Sequence, residues 1–196
     1  MKEIIFASHN QGKIKEIRQI LTPLNIRVIS ADEIDLPDVE ETGTTFEENA
    51  ALKAMAVAKL KNLPCLADDS GLCVDVLDGR PGVYSARYAP NRDFQKAMQK
   101  LLNEMAETHS TNRNAHFSCA LVLAYPDGSY KVFEGRVDGE IIFEQKGENG
   151  FGFDPVFKPT GYDKTFAELG SDIKNKISHR ARALEKFITF LKQEGI

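Results

Sequence analysis

The chain has 196 residues, 42% of them hydrophobic and 28% charged, with 14 Gly and 8 Pro, an ordinary globular composition that excludes collagen-like, disordered and membrane-embedded classes. At this length one large domain or two small ones would bury about 70% of the unfolded surface, so the fold needs no disulfide or metal staple. Twenty-five Lys and Arg against 29 Asp and Glu leave a formal charge of −4, which excludes a whole-molecule cationic field for nonspecific nucleic-acid binding.

Ile4–Ala7 is a short apolar run suited to a strand buried on both faces, and it stops at the polar segment Ser8-His9-Asn10-Gln11-Gly12-Lys13. Ile14, Ile17, Leu21 and Leu24 then share one helical face, with Pro23 marking its end. A second strand is expected at Arg27–Ser30, before the acidic stretch Asp32–Glu41. Thr45 and Glu48 form a capping box for a helix from Phe46 to about Lys61, its core face carrying Phe46, Ala50, Ala54, Val57 and Leu60. Lys53 lies off that stripe. Cys65-Leu66-Ala67 reads as a strand interrupted by a tight acidic turn, Asp68-Asp69-Ser70-Gly71, and resumed at Leu72–Leu77. Phe94, Ala97, Met98, Leu101, Leu102 and Met105 predict a third helix.

Ala115–Tyr125 and Ser129–Val137 flank Pro126-Asp127-Gly128, a hairpin read as the start of a lobe. Glu140–Phe143 predicts a further strand, Gly147–Gly152 a loop, and Leu184, Phe187, Ile188 and Leu191 a C-terminal helix. The pattern predicts an α/β fold of two lobes sharing one sheet. Cys65, Cys73 and Cys119 are an odd set without a C-x-x-C pair, pointing to buried thiols in a reducing, cytoplasmic setting. No apolar run reaches the roughly 18 residues of a membrane span, so neither membrane nor nucleic acid is the expected partner.

Four polar clusters could carry chemistry. Ser8–Lys13, between strand and helix, can present backbone N–H groups and an ammonium to phosphate, although a capped turn would use the same residues. Glu40-Glu41 and Asp68-Asp69 supply paired carboxylates that a divalent cation would neutralise, or else form a solvated surface and a turn. Asn149-Gly150-Phe151-Gly152-Phe153-Asp154-Pro155 suits a flat ligand, or places two rings in the core. Lys174, Lys176, His179 and Arg180 gather cations at a helix start, where an anion or base carbonyl would explain them better than a solvated face. Together these are the parts needed to hold a magnesium-bound nucleoside triphosphate.

The ordered motifs Ser8-x-Asn10-x-x-Lys13, Glu40-Glu41-Thr42-Gly43, Phe46-x-Glu48-Asn49-Ala50, Ala67-Asp68-Asp69-Ser70-Gly71-Leu72, Pro81–Tyr88, Phe151–Pro155 and Ser178-His179-Arg180 span nearly the whole chain. In them the sequence resembles the inosine/xanthosine triphosphatase (Ham1-like) family. The resemblance implies a mixed, twisted sheet flanked by helices, with two lobes around a central cleft in a single domain over residues 1–196, as in ITPase-like and Maf-like proteins. It further implies a homodimer that requires Mg2+ and hydrolyses ITP, dITP and XTP to the monophosphate and pyrophosphate. Position by position, Ser8, His9, Asn10, Gln11, Gly12 and Lys13 would hold the phosphates with Lys53, and Ser70 would contact substrate. Asp69 would be the general base and a metal ligand, with Asp68, Glu40 and Glu41 supporting the metal. Phe151, Gly152, Phe153, Asp154, Lys174, His179 and Arg180 would form the base and ribose side. Many members have tyrosine where this chain has Phe153, and glycine where it has Asn149. A Maf-like pyrophosphatase acting on other nucleotides and a nucleotide sensor without turnover are the alternatives.

Overall fold

The computed structural model describes residues 3–195. Its strands are β1 (Glu3–Phe6), β2 (Arg27–Ile29), β3 (Cys65–Val74), β4 (Asn114–Ala124), β5 (Tyr130–Ile141) and β6 (Phe157–Pro159), hydrogen-bonded in the order β2-β1-β3-β4-β5-β6. β1 runs parallel to both β2 and β3, whereas β5 and β6 are antiparallel, so the sheet is mixed and the α/β class is as expected. The helices are α1 (Gln11–Leu21), α2 (Phe46–Lys61), α3 (Phe94–Glu107), α4 (Phe166–Leu169), α5 (Ser171–Ile177) and α6 (His179–Gln193). None of the described helices is long and apolar enough to cross a membrane. The chain divides into two compact units, one made of the segment ending at Asp69, Cys119–Gly135 and the chain from Arg180 onward, the other of Ser70–Ser118 and Arg136–His179.

In the first unit, β1 and the start of β3 are buried on both faces. Ile4, Phe6 and Leu66 pack with Ile14, Ile17 and Leu21 of α1 and with Leu184 and Phe187 of α6. The alternate residues Ile5, Ala7, Cys65 and Ala67 pack instead on Ala50, Ala54, Val57 and Ala58 of α2. The Asn10 side chain caps α1 by accepting from Lys13 N–H, and the expected capping box of Thr45 and Glu48 starts α2. Leu60, however, is 62% exposed. At 100° per residue it falls about 80° from Ala50 around the axis, outside the stripe that the small residues bury.

β3 and the hairpin depart from expectation in four respects. Asp68-Asp69-Ser70-Gly71 is not a turn, since β3 runs unbroken from Cys65 to Val74, with Asp68 and Asp69 buried in its middle. The composition mimics a turn, but Lys13 and Arg180 offset the burial penalty of Asp68 that would otherwise bend the chain out to water. The resumed strand ends at Val74, and Asp75–Leu77 form a 3₁₀ turn. The hairpin forms about Pro126-Asp127-Gly128, where Gly128 takes φ +89°. It does not open a lobe, because its tip belongs to the first unit and its two ends to the second. The strand expected at Glu140–Phe143 is the end of β5, which stops at Ile141.

In the second unit, Asp93 caps α3, which buries Ala97, Met98, Leu101 and Met105 against Leu72, Val74, Phe117, Val137 and Phe157. Cys65 and Cys119 are buried and Cys73 half-buried, all three as free thiols.

Candidate functional site

Successive side chains on a strand point to opposite faces, so the adjacent acids of β3 enter different surroundings. Asp68 follows Leu66 toward α1 and α6. There its Oδ2 accepts from Arg180 Nε at 3.0 Å and lies 2.9 Å from Nη2, while its Oδ1 lies 3.1 Å from Lys13 Nζ. The far side of the Arg180 guanidinium is ion-paired with Glu16, a buried carboxylate of α1. Cys119 Sγ lies 3.8 Å from Asp68 Oδ2. Asp69 follows Ala67 toward α2, where its Oδ2 accepts from Asn49 Nδ2 at 3.1 Å.

Two lysines border the acidic pair. Lys13 sits in the first turn of α1, whose Asn10 side chain takes the Lys13 N–H; helix geometry offers no internal acceptor to the N–H groups of Gln11 and Gly12. Ser8 Oγ accepts from Asn10 N–H and fixes the turn, while His9 and Gln11 are exposed. Lys53, expected off the apolar stripe, reaches inward: its Nζ donates to Glu41 Oε1 at 2.6 Å and to the Asp68 carbonyl at 2.8 Å. Of the neighbouring glutamates Glu41 makes this pair, whereas Glu40 is exposed.

Electrostatics separate the two aspartates. Burial is the largest influence on Asp68 and favours its neutral form, but Lys13, Arg180 and Lys53 together outweigh it and hold the carboxyl well below the usual range. For Asp69 burial wins: the carboxyl is pushed up, with the Glu41 charge adding to the effect and Lys13, Lys53 and the Asn49 bond opposing it. Desolvation would lower Lys53, but Asp68, Glu41 and Asp69 reverse it and keep the ammonium charged. The unit thus presents a neutralised acid, an under-compensated acid and two cations.

The fit to a divalent cation follows from these donors. Among the described residues no group of three or more His, Cys, Asp and Glu could enclose a metal. Asp68 was expected as a ligand, but it is enclosed and already faced by cations on both oxygens. Asp69, which accepts from Asn49, and Glu41, which pairs with Lys53, are more open acids whose like charges disfavour each other and whose hard oxygens suit a divalent ion. Mg2+ is content with one or two carboxylates when water and phosphate oxygens complete the shell, so these residues fit it.

In the second unit, Lys174 and Asp154 form a buried ion pair at 2.7 Å, and Asp154 Oδ2 also accepts from Phe151 N–H at 3.0 Å. The Lys174 ammonium lies 4.4 Å from the Phe151 ring centroid, and Phe151 and Gly152 are half-buried. Phe153, expected to stack on a ligand, is instead a core residue, set edge-on to Phe94 at 5.6 Å and Tyr88 at 6.5 Å. His179 is buried and stacked on Phe117 at 4.8 Å, while Ser70 is half-buried. Arg180 was expected as a base donor, but it is only 1% exposed in the first unit and directed onto Asp68 and Glu16. Sequence reasoning quoted Asn49 in a motif without giving it a role and passed over Glu16; the signal for Asn49 was a polar residue set among the alanines of α2, whereas Glu16, about 100° around α1 from Ile17, carried no local signal.

A family model described as the Ham1 family matches residues 4–190. A dITP/XTP pyrophosphatase of Bacillus subtilis is 52% identical, covering 97% of this chain and 98% of that protein. One of Agrobacterium fabrum is 48% identical, covering 95% and 94%. Among solved structures, a HAM1 protein from Coxiella burnetii superposes with a TM-score of 0.90 at 42% identity, covering 98% of this chain and all of that one. The Staphylococcus aureus Ham1 protein gives 0.87 at 47% identity over the same shares. With nearly its whole length matched in sequence and in fold, the chain belongs to the Ham1 family.

Proposed function

We propose that this protein is a nucleoside-triphosphate pyrophosphatase, hydrolysing non-standard purine nucleotides such as dITP, XTP and ITP to the monophosphate and pyrophosphate. The observation that carries the reading is the arrangement on β3: Lys13 and Lys53 border an acid pair in which Asp68 is held ionised by cations at both oxygens while burial raises the proton affinity of Asp69. Relatives named dITP/XTP pyrophosphatase, at 48% and 52% identity, support the substrate class.

Lys13, the free N–H groups of the first α1 turn and Lys53 bind the triphosphate oxygens and offset their charge. Asp68 holds Lys13 in place, and Arg180 and Glu16 keep Asp68 ionised and fixed. Asp69 accepts a proton from the attacking water, a role favoured by the raised proton affinity that burial confers. The water oxygen bonds to the α-phosphorus, the bond from that phosphorus to the bridging oxygen breaks, and pyrophosphate leaves. Asp69 and Glu41 would hold Mg2+, which when bound supplies charge neutralisation to the phosphates. Base and ribose recognition are assigned to Phe151, Gly152, Asp154, Lys174 and His179 with nearby backbone. An acceptor at purine position 6 is distinguished from an amino group by the donor that the wrong base leaves unpaired.

The test is a substrate panel of dITP, XTP, ITP, the four standard triphosphates and pyrimidine and methylated analogues, run with and without Mg2+ in a cytoplasm-like buffer. The expected result is Mg2+-dependent release of pyrophosphate from the first three. Orthophosphate as the first product refutes the reading. A homodimer is proposed as the assembly, and sedimentation equilibrium checks it.

A further inference from the structure

We propose that Asn49 is a positioning residue for Asp69, acting with Gly43 as a two-ended amide clamp; the inference rests on Asp69 being the base of the reaction above. Asn49 lies fully buried in the first turn of α2. Its Oδ1 accepts from Gly43 N–H at 2.7 Å, and its Nδ2 donates to Asp69 Oδ2 at 3.1 Å. An amide oxygen only accepts and an amide nitrogen only donates. Flipping the group would set its NH2 against the Gly43 N–H and its oxygen against the carboxylate, so both ends enforce the same orientation. The donor is thereby always turned to Asp69, and the carboxylate cannot rotate about its last bond without losing it.

Gly43 completes the clamp because only glycine lets the backbone come so close. A Cβ there would lie 2.6 Å from Glu48 Cβ and 2.7 Å from Asn49 Oδ1. Glu48 cannot withdraw, since its carboxylate accepts from the N–H groups of Thr44 and Thr45 as part of the cap. The loop that carries Glu41 is thus docked on the N-terminus of α2, and the Asn49 amide links that loop directly to the carboxylate on β3, beside the Lys53 bridge from Glu41 to the Asp68 carbonyl. Small misplacements of a reacting group cost up to about 100-fold in rate, and supporting partners of reactive groups typically act at roughly the 10–100-fold level.

Asn49→Asp separates positioning from mere support. It keeps an oxygen for the Gly43 N–H and nearly the same volume, but replaces the donor facing Asp69 with an acceptor. The experiment measures kcat and KM for Mg2+-dependent pyrophosphate release from dITP. It adds calorimetric affinity for the α,β-methylene analogue of dITP and the urea midpoint of each variant. The expected result is a kcat roughly 10–100-fold lower, with KM and analogue affinity within about three-fold of wild type, the pattern of an interaction needed in the transition state. Asn49→Ala, neutral and smaller, decides the matter should the added carboxylate prevent folding, and the same split is expected of it. A kcat within about three-fold of wild type in the folded variant, or a change confined to KM or to the urea midpoint, overturns the clamp. Wild-type protein that releases no pyrophosphate from dITP overturns the functional reading itself, whereas active wild type with unimpaired variants overturns the clamp alone.

Discussion

Replacing Arg180 with methionine keeps most of the aliphatic length of the side chain and removes the guanidinium that joins α6 to β3 and α1. The arginine side chain is 2% exposed, and its loss takes the guanidinium from Glu16 and leaves Lys13 as the cation on Asp68, two carboxylates whose side chains are 9% and 0% exposed. Removing one partner of a buried ion pair costs about 3–5 kcal/mol, a large share of the roughly 5–15 kcal/mol that holds a domain folded. With a urea dependence of about 2 kcal/mol per molar, the unfolding midpoint of Arg180→Met should fall by roughly 1.5–2.5 M, measured by circular dichroism at pH 7. Adding Glu16→Gln to that variant removes one stranded charge and should restore at least about 1 kcal/mol. The pH dependence has a definite sign. In wild type the depressed Asp68 carboxyl adds stability that is present above the unfolded value of about 3.9 and is lost as pH falls toward the folded one. Without Arg180 one of the three cations that oppose burial is gone, so the carboxyl is less depressed and there is less stability to lose as pH falls. The gap between the two proteins should therefore stay level from pH 7 to about pH 5 and narrow as pH falls through about 4. A midpoint within about 0.3 M of wild type at pH 7, or a gap that stays constant with pH, would refute an Arg180 that serves the acid pair.

Asp69→Asn should lower turnover by about 100-fold or more at an unchanged urea midpoint, read as pyrophosphate release from dITP; near-normal turnover would remove Asp69 from the chemistry. Thr45→Ala should cost about 1 kcal/mol by deleting half of the α2 capping box, measured by urea unfolding. Phe153→Ala should cost about 3–5 kcal/mol, because the ring fills the core beside Phe94 and Tyr88; a stability close to wild type would return Phe153 to a surface role. Burial pushes Cys65 up to about 12 and Cys73 up to about 11, so iodoacetamide at pH 8 should leave both unmodified in folded protein by mass spectrometry and label them after denaturation.

The helices were legible because their signals are local. The stripe of Ile14, Ile17 and Leu21, the capping box at Thr45 and the spacing from Phe94 to Met105 each lie within a few turns, and each helix forms where its period places it. The same locality explains the errors. Two aspartates beside a glycine look like a turn unless Arg180, 112 residues away, is known to lie against the first of them. Arg180 in turn looks like a surface donor unless Glu16, 164 residues away, is known to enclose it. Phe153 failed for a related reason, since alternation of ring and glycine does not say which ring turns inward. Lys53 came into the site although its position on α2 lies off the apolar stripe, because a lysine stem is long enough to carry its ammonium to the Asp68 carbonyl.

Placing two adjacent acids on a buried strand is costly unless each does something the other cannot, and the alternation of β3 divides them cleanly. The residue facing α1 and α6 meets Arg180 and Lys13, so it stays ionised and spends its charge on holding cations in place. The residue facing α2 is pushed up by burial, with the repulsion of Glu41 adding to it against Lys13, Lys53 and the Asn49 amide, so its proton affinity rises. Lys13 and Lys53 act on both acids, but Arg180 lowers the first and is not among the influences on the second. A continuous strand, rather than the turn its composition suggests, is what keeps them on opposite faces, and it lets one dipeptide supply both an anchor for Lys13 and the acid proposed above as the base.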